Sequence, residues 1–122
     1  MILIIGGRAQ GKLDWAKSRF SLTDGDVARD FAGAAGAKAL YGLHDAVAAS
    51  LRAGRSPEDE VDALVAANPD IIIICDEIGG GVVPIEPFER EWRDRVGRIC
   101  CALAARAERV ERVLCGIAMR LK

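Results

Sequence analysis

Apolar and polar residues alternate in blocks that predict strands and helices in turn along the chain. Residues 1–5 are an apolar run ending at two glycines, and residues 70–76 contain four consecutive isoleucines. Both runs are too short for a buried helix and are typical of strands covered on both faces. A third strand is predicted at residues 109–117, and a weaker one at residues 26–31.

The segments between these strands have helical spacing. Residues 12–20 predict a helix directly after the first glycines, and the alanine-rich residues 32–55 predict a second one that ends near Gly54. Ser56 followed by Pro57 is typical of a helix start, and this third helix should end near Ala67. A long fourth helix begins at Pro87. The expected buried stripes are Leu40, Leu43, Val47 and Leu51 in the second helix, and Phe88, Trp92, Val96, Ile99 and Leu103 in the fourth.

Strands that alternate with helices in a short chain indicate a parallel sheet with right-handed crossovers. The predicted fold class is therefore α/β, with three layers, a mainly parallel sheet and helices on both faces, similar to P-loop NTPases. The sequence contains no internal repeat or linker. We expect residues 1–122 to form a single P-loop-like nucleotide-binding domain.

Composition narrows the possible partners and the compartment. The net charge is −1 and aromatic residues make up 5% of the 122 residues, so broad binding to nucleic acid is not expected. No apolar run approaches the ~20 residues of a membrane helix, and no signal peptide is recognisable at the start. We therefore expect a cytoplasmic protein with no membrane span. Two of the four cysteines lie in apolar, strand-like runs, which favours small buried hydrophobic residues in a reducing cytosol over a disulfide framework or a zinc site.

The first candidate site is a glycine-rich loop between the first strand and the first helix. Its residues fit the pattern GxxxxGK, in which backbone N–H groups curl around a phosphate and the lysine reaches the outer phosphates. The alternative is a plain turn between strand and helix. The candidate nucleotide-binding residues are Gly6, Gly7, Arg8, Ala9, Gln10, Gly11 and Lys12.

One position departs from the usual pattern. Leu13 stands where a serine or threonine would hold Mg²⁺. The expected ligand is GTP or ATP with Mg²⁺, and Asp14 or an acid at a strand end would have to hold the metal ion through water. No dedicated protein metal site is predicted.

Asp76 and Glu77 follow the isoleucine-rich strand and form the second candidate site. Open α/β sheets bind ligands at the carboxyl ends of their strands, where an acid can organise a metal ion or orient a hydroxyl. Successive residues of a strand point to opposite sides, so only one of the two can face the phosphate loop. The alternative is a solvated strand end.

Two further features keep open alternatives. His44 could act as a nucleophile or base, or could be a structural residue at the border of its helical stripe. Arg93 and Gly97 share a helix face, where the guanidinium could lie beside a ligand or a neighbouring chain, or could be part of a solvated face.

Four segments together resemble the adenosylcobinamide kinase / adenosylcobinamide-phosphate guanylyltransferase family of cobalamin synthesis. They are Ile-Ile-Gly-Gly through Gly-Lys at residues 4–12, Asp-Glu-Ile-Gly-Gly-Gly-Val-Val-Pro at 76–84, Trp-Arg-Asp-Arg-Val-Gly-Arg at 92–98, and residues 115–122. The resemblance implies that residues 6–12 hold a nucleoside triphosphate, that Glu77 lies at the site edge, and that the chain forms a homo-oligomer. It also implies phosphorylation of the aminopropanol arm of a corrinoid, followed by transfer of GMP through a covalent histidine.

The chain departs from this family where the nucleotidyl-accepting histidine is expected, between the loop helix and the isoleucine strand. His44 lies in no recognisable copy of that segment, so the guanylyltransferase step is not expected. The leading hypothesis is a shortened cobinamide kinase with Lys12, Asp76 and Glu77 as catalytic residues. The alternatives are a non-catalytic nucleotide- or corrinoid-binding sensor or subunit, and an oligomer contact through Phe88 and Trp92.

Overall fold

A computed structural model describes residues 1–122 as one six-stranded sheet with helices on both faces. The strand order is β2-β3-β4-β1-β5-β6, and every neighbouring pair is parallel except β5 and β6. The elements in chain order are β1 (Ile2–Gly6), α1 (Lys12–Phe20), a 3-10 turn (Asp24–Asp26), β2 (Val27–Ala28), α2 (Phe31–Ala34), β3 (Ala39–Tyr41), α3 (Leu43–Arg52), α4 (Pro57–Ala67), β4 (Ile72–Asp76), α5 (Pro87–Arg106), β5 (Arg109–Leu114) and β6 (Ile117–Arg120).

The strands send alternate residues into two separate cores. Leu3 and Ile73 pack on the face covered by α3, α4 and α5, whereas Ile4 and Ile74 pack on the face covered by α1. This two-sided burial explains why β1 and β4 are continuous apolar runs. The three-layer, mainly parallel α/β fold expected from the sequence is confirmed, and it is P-loop-like.

The central strand β1 brings the two predicted site segments together. It pairs in parallel with β4, and Gly6 lies opposite Asp76 in the register. Both strands therefore end at the same edge of the sheet. Of the stripe predicted for α5, Val96, Ile99 and Leu103 are buried, whereas Phe88 and Trp92 are only partly buried.

The predicted continuous helix at residues 32–55 is wrong. These residues form the short helix α2, the strand β3 and the helix α3. Leu40 lies in β3 opposite Ile73, not on a helical stripe. The chain changes from strand to helix at Gly42, whose φ of +86° suits glycine and whose N–H donates to Ile74 O (3.0 Å). Pairing with β4 overrides the helix propensity of this alanine-rich segment.

The predicted strand at residues 109–117 is two strands. Cys115 and Gly116 both have positive φ (+52° and +73°) and form a tight turn after β5. The chain then returns as β6, which pairs antiparallel with β5 and forms one edge of the sheet. The weak strand expected at residues 26–31 is reduced to the two residues of β2.

The structure also bears on two expectations from composition, the burial of the cysteines and the lack of a membrane span. Of the two cysteines in the predicted strands, Cys75 is buried as expected, whereas Cys115 lies exposed in the turn after β5; on α5, Cys100 is half-buried and Cys101 is exposed. All four are free thiols. None of the helices has the length and apolar character that crossing a membrane requires.

Candidate functional site

The loop between β1 and α1 presents a row of backbone N–H groups that the rest of the chain leaves free. The N–H groups of residues 7–14 donate no hydrogen bond within the protein. Positive φ values at Ala9 (+58°) and Gly11 (+87°) curl the loop before α1 begins. Free amides that converge at the start of a helix favour an anionic ligand such as a phosphate chain.

Gly6 is required where β1 ends. A Cβ atom at this position would lie far inside van der Waals contact with Val113 O, a backbone atom of β5, and would also crowd the Lys12 side chain. At Gly7, by contrast, a Cβ would be in ordinary contact, 3.5 Å from Gln10 Cγ. Gly6 therefore allows the close approach of β1 and β5, whereas the space at Gly7 would admit a larger residue.

Lys12 begins α1, and its ammonium group points back into the loop. Its Nζ donates to Gly7 O (2.7 Å) and forms an ion pair with Asp76 Oδ1 (2.6 Å). The Lys12 side chain is 3% exposed and that of Asp76 is 15% exposed. Because a buried charge needs a partner, the Asp76 carboxylate compensates the Lys12 ammonium group. The two contacts hold the ammonium group next to the loop.

Asp76 and Glu77 diverge at the end of β4. Asp76 turns toward Lys12, whereas Glu77 receives two hydrogen bonds from the Arg112 guanidinium on β5 (2.9 and 3.2 Å). The backbone N–H of Glu77 also donates to Gly6 O (2.9 Å). Only Asp76 therefore lies against the loop lysine, and Glu77 lies at the edge beside a cation.

His44 lies inside this cluster, on the first turn of α3. The Gly42 N–H to Ile74 O bond fixes the start of α3 against the end of β4. His44 Nδ1 accepts from Asp76 N–H (3.2 Å), and its Nε2 is 3.4 Å from Asp76 Oδ2 and 3.6 Å from Asp45 Oδ2. The histidine is therefore a direct neighbour of the candidate acid, a position that the predicted long helix did not show.

Trp92 supports the same cluster from α5. Its indole Nε1–H donates to His44 O (2.7 Å). The Phe88 ring is also engaged within the chain, 4.8 Å from the Arg52 guanidinium carbon. Beside the cluster is a cavity of about 450 Å³. It is lined in part by Arg8, Tyr41, His44, Asp76, Glu77 and Trp92.

Gln10 fastens the loop to the turn between β5 and β6. Its side-chain Oε1 accepts from Cys115 N–H (2.8 Å), and its backbone O accepts from Gly116 N–H (2.8 Å). Sequence reasoning placed Gln10 in the loop but missed this support, because it predicted a single unbroken strand there. The Cys-Gly pair inside an apolar run was the available signal of a turn.

A second cavity, of about 390 Å³, lies on the other side of Glu77. The Arg93 guanidinium donates to Val82 O (2.7 Å) and Gly80 O (3.1 Å), so it holds the glycine-rich segment after β4 rather than facing solvent. Arg93, Gly97, Cys100 and Arg112 contribute to the cavity wall.

The side chains near the loop fit a metal ion only in part. Leu13 supplies no oxygen, and no group of three or more His, Cys, Asp or Glu side chains is arranged to hold a metal ion. Asp76 is the carboxylate next to the loop. A metal ion that arrives on a triphosphate and keeps several water ligands is compatible with one such carboxylate.

Comparison with known proteins points to one family. Residues 39–121 match the model of the family described as cobinamide kinase / cobinamide phosphate guanyltransferase. The bifunctional adenosylcobalamin biosynthesis protein CobU of Salmonella typhimurium is 35% identical over 72 residues, which is 56% of this chain and 40% of that protein. The protein of the same name from Escherichia coli is 34% identical over 67 residues, which is 52% of this chain and 37% of that protein.

The matches cover only part of the relatives and only part of this chain. The chain aligns with about two-fifths of the length of these curated relatives. The family match begins at Ala39, so it contains His44, Asp76 and Glu77 but not the loop of residues 6–12.

Proposed function

The chain belongs to the cobinamide kinase / cobinamide phosphate guanyltransferase family, and we propose that it is a nucleotide-dependent kinase of cobalamin biosynthesis. In this proposal it binds GTP or ATP at residues 6–12 and transfers the terminal phosphate to the aminopropanol hydroxyl of a cobinamide. One observation carries the proposal. The buried Lys12, which forms an ion pair with Asp76 at the end of β4, lies next to a loop whose backbone N–H groups donate no hydrogen bond within the protein.

The loop would bind the triphosphate through its backbone. The free N–H groups of residues 7–14 can donate to phosphate oxygens, and the start of α1 adds a favourable dipole. The hydrogen bonds from the β5–β6 turn to Gln10 keep the loop in shape before the nucleotide arrives. A preorganised loop loses less conformational freedom on binding.

Lys12 and Asp76 would act together in the transfer step. The Lys12 ammonium can leave the Gly7 carbonyl for the transferred phosphate, where it stabilises charge that develops during the reaction. Asp76 Oδ1 would stay with Lys12, and Asp76 Oδ2, which lies 3.4 Å from His44 Nε2, would orient the acceptor hydroxyl and take up its proton. Glu77 would stay at the site edge, where Arg112 holds it.

Mg²⁺ would enter with the nucleotide and neutralise part of the phosphate charge. Because Leu13 offers no ligand, the ion would keep more of its water ligands than in enzymes with a hydroxyl at this position. Asp76 lies next to the loop lysine, which supports it as the carboxylate that would contact those waters.

The acceptor would enter the cavity of about 450 Å³ beside His44. This cavity admits an extended arm of a substrate rather than a whole corrin ring, so the ring would stay outside. We do not include guanylyl transfer in the proposal, because Nδ1 of His44 already accepts a hydrogen bond and Nε2 lies between two carboxylates. The expected cytoplasmic location and homo-oligomer stay predictions.

A second candidate is a nucleotide- or corrinoid-binding sensor or subunit without catalysis. Leu13 favours this alternative, because loss of the metal-binding hydroxyl weakens phosphoryl transfer more than nucleotide binding. Both candidates use the same loop, so nucleotide binding alone does not separate them.

Turnover separates the two candidates. The protein is incubated with cobinamide and γ-labelled GTP or ATP in Mg²⁺, and labelled cobinamide phosphate is measured beside an Asp76→Asn control. The kinase predicts label transfer that falls by ~100-fold or more in the control. Nucleotide-dependent thermal stabilisation without label transfer would favour the sensor, and absence of both would refute the loop as a nucleotide site.

A further inference from the structure

Two free thiols lie side by side behind the candidate site. Cys75 Sγ and Cys100 Sγ are 3.8 Å apart. Cys75 is the residue before Asp76 on β4, and Cys100 is on α5. The two thiols therefore form a contact between β4, which carries the candidate acid Asp76, and α5, the longest helix of the fold.

Access to the two sulfur atoms is unequal. Cys75 is 1% exposed and lies in the core. Cys100 is half-buried and lines the 390 Å³ cavity, near Arg93 and Arg112. A small reagent in this cavity can therefore reach Cys100 but not Cys75.

The pKa values of the two thiols also differ. The hydrogen bond that Cys100 shares with the neighbouring Cys75 thiol lowers the pKa of Cys100. The same interaction, together with burial, raises the pKa of Cys75. An accessible thiol with a lowered pKa beside a buried thiol is the usual arrangement of an attacking and a resolving cysteine.

We propose that Cys75 and Cys100 form a redox-active dithiol that a hydroperoxide oxidises to a disulfide between β4 and α5. The Cys100 thiolate attacks the peroxide oxygen and becomes a sulfenic acid as the O–O bond breaks and water or an alcohol leaves. Cys75 then attacks the sulfenic sulfur, the S–S bond forms, and water leaves. Two thiols and one hydroperoxide are thus converted to one disulfide with no other reactant.

Oxidation would also disturb the position of Asp76, the next residue on β4. The two sulfur atoms must approach from 3.8 Å to about 2.05 Å, so the end of β4 or the facing turn of α5 has to move. Cys75 Sγ donates to Asp76 O (3.3 Å), and Asp76 holds Lys12. We therefore expect the disulfide to weaken nucleotide binding by about tenfold. This second effect rests on the proposed function, whereas the disulfide itself does not.

The test treats the reduced protein with hydrogen peroxide and then measures intact mass, free thiols after denaturation, and the linked peptides. Native protein should lose about 2 Da and two of its four thiols, and dithiothreitol should restore both. Trypsin leaves Cys100 and Cys101 in one peptide, so Cys101→Ser serves as the matched control and should retain the cross-link. Cys100→Ser and Cys75→Ala should each abolish it.

The outcomes separate the two effects. Retention of all four thiols, a cross-link that needs Cys101, or oxidation of Cys100 to a sulfinic acid without a cross-link would each overturn the dithiol. Thermal shifts with GTP or ATP are then compared between the reduced and oxidised forms. Equal shifts in the two forms would refute the effect on the acid, and no shift in the reduced form would count against the proposed function alone.

Discussion

Lys12 Nζ and Asp76 Oδ1 form an ion pair of 2.6 Å that joins the start of the first helix to the end of a neighbouring strand. Both side chains are largely shielded from water. The parallel pairing of β1 with β4 places Gly6 opposite Asp76 and so fixes where the pair forms. The fold thus sets one cation and one anion at the centre of the candidate site.

Lys12→Met should both destabilise the protein and remove nucleotide binding. It leaves the Asp76 carboxylate without its cation, which typically costs about 3–5 kcal/mol. Urea unfolding measures the stability, and thermal shifts with GTP or ATP measure the binding. Lys17→Met on the same helix is the control, because Lys17 pairs with the exposed Asp24 and should change the free energy of unfolding by less than about 1 kcal/mol.

The double variant Lys12→Met/Asp76→Asn distinguishes the two effects of that change. Removing the second charge should recover part of the lost stability but none of the nucleotide shift. Retention of a full nucleotide shift in either Lys12 variant would contradict the role given to the lysine.

Gly6→Ala and Gly7→Ala should behave very differently although they are neighbours. The first places a methyl group against Val113 O, a backbone atom within the sheet, and should lower the free energy of unfolding by more than about 2 kcal/mol. The second meets only Gln10 Cγ at 3.5 Å and should cost less than about 1 kcal/mol. Denaturant unfolding compares them; similar losses in both would argue against the close approach at Gly6.

Leu13→Thr should strengthen the effect of Mg²⁺ on nucleotide binding. The new hydroxyl stands where phosphate-loop enzymes hold the metal ion, and one added polar contact is worth about 1 kcal/mol, or roughly fivefold in affinity. Leu13→Val is the matched control, since it has the same shape without the hydroxyl. Calorimetric titration with and without Mg²⁺ provides the measurement, and equal gains in both variants would show that the oxygen has no part in binding.

Glu58 gives a pH-dependent contribution outside the site. Two hydrogen bonds from the Arg95 guanidinium (2.5 and 2.6 Å) lower the pKa of Glu58 below its ordinary value of 4.5. The pair therefore stabilises the fold above pH 4.5, and this contribution is lost as the pH falls through the lowered pKa. Because Glu58 is 42% exposed, Glu58→Gln should cost only about 0.5 kcal/mol at pH 7.

The loss from Glu58→Gln should vanish in acid, where both forms are neutral. Asp59→Asn removes an exposed acid from the same first turn of α4, where no arginine pairs with it. It controls for the interaction with the helix dipole. Unfolding curves at several pH values measure both variants, and a cost of Glu58→Gln that did not change with pH would refute the assignment to Arg95.

Local patterns were enough to predict most of the fold. Four consecutive isoleucines define β4, Ser56 and Pro57 define the start of α4, and the spacing of Val96, Ile99 and Leu103 defines the buried face of α5. Each of these signals lies within a few residues of the feature it predicts. The strand β3 has only three residues and depends on its parallel neighbours, so no local pattern distinguishes it from helix.

The same distinction applies to the candidate site. The loop residues were predicted from the pattern GxxxxGK after β1, and Asp76 and Glu77 from their place after an apolar strand. Parallel pairing then brings both segments to one edge of the sheet. The contact of His44 with Asp76 depends on β3, and the contact of Gln10 with Cys115 depends on the hairpin. Both connect segments far apart in sequence, and a single sequence carries little information about such contacts.

The hydrogen bond from Cys115 N–H to Gln10 Oε1 spans 105 residues of chain, which has a consequence for biosynthesis. The loop is translated before its support, which is complete only once the segment around Cys115 has been made. A nascent chain that stops short of this segment would carry the whole glycine-rich motif without the brace that shapes it. The nucleotide binding proposed for this loop should therefore appear only after the hairpin has docked.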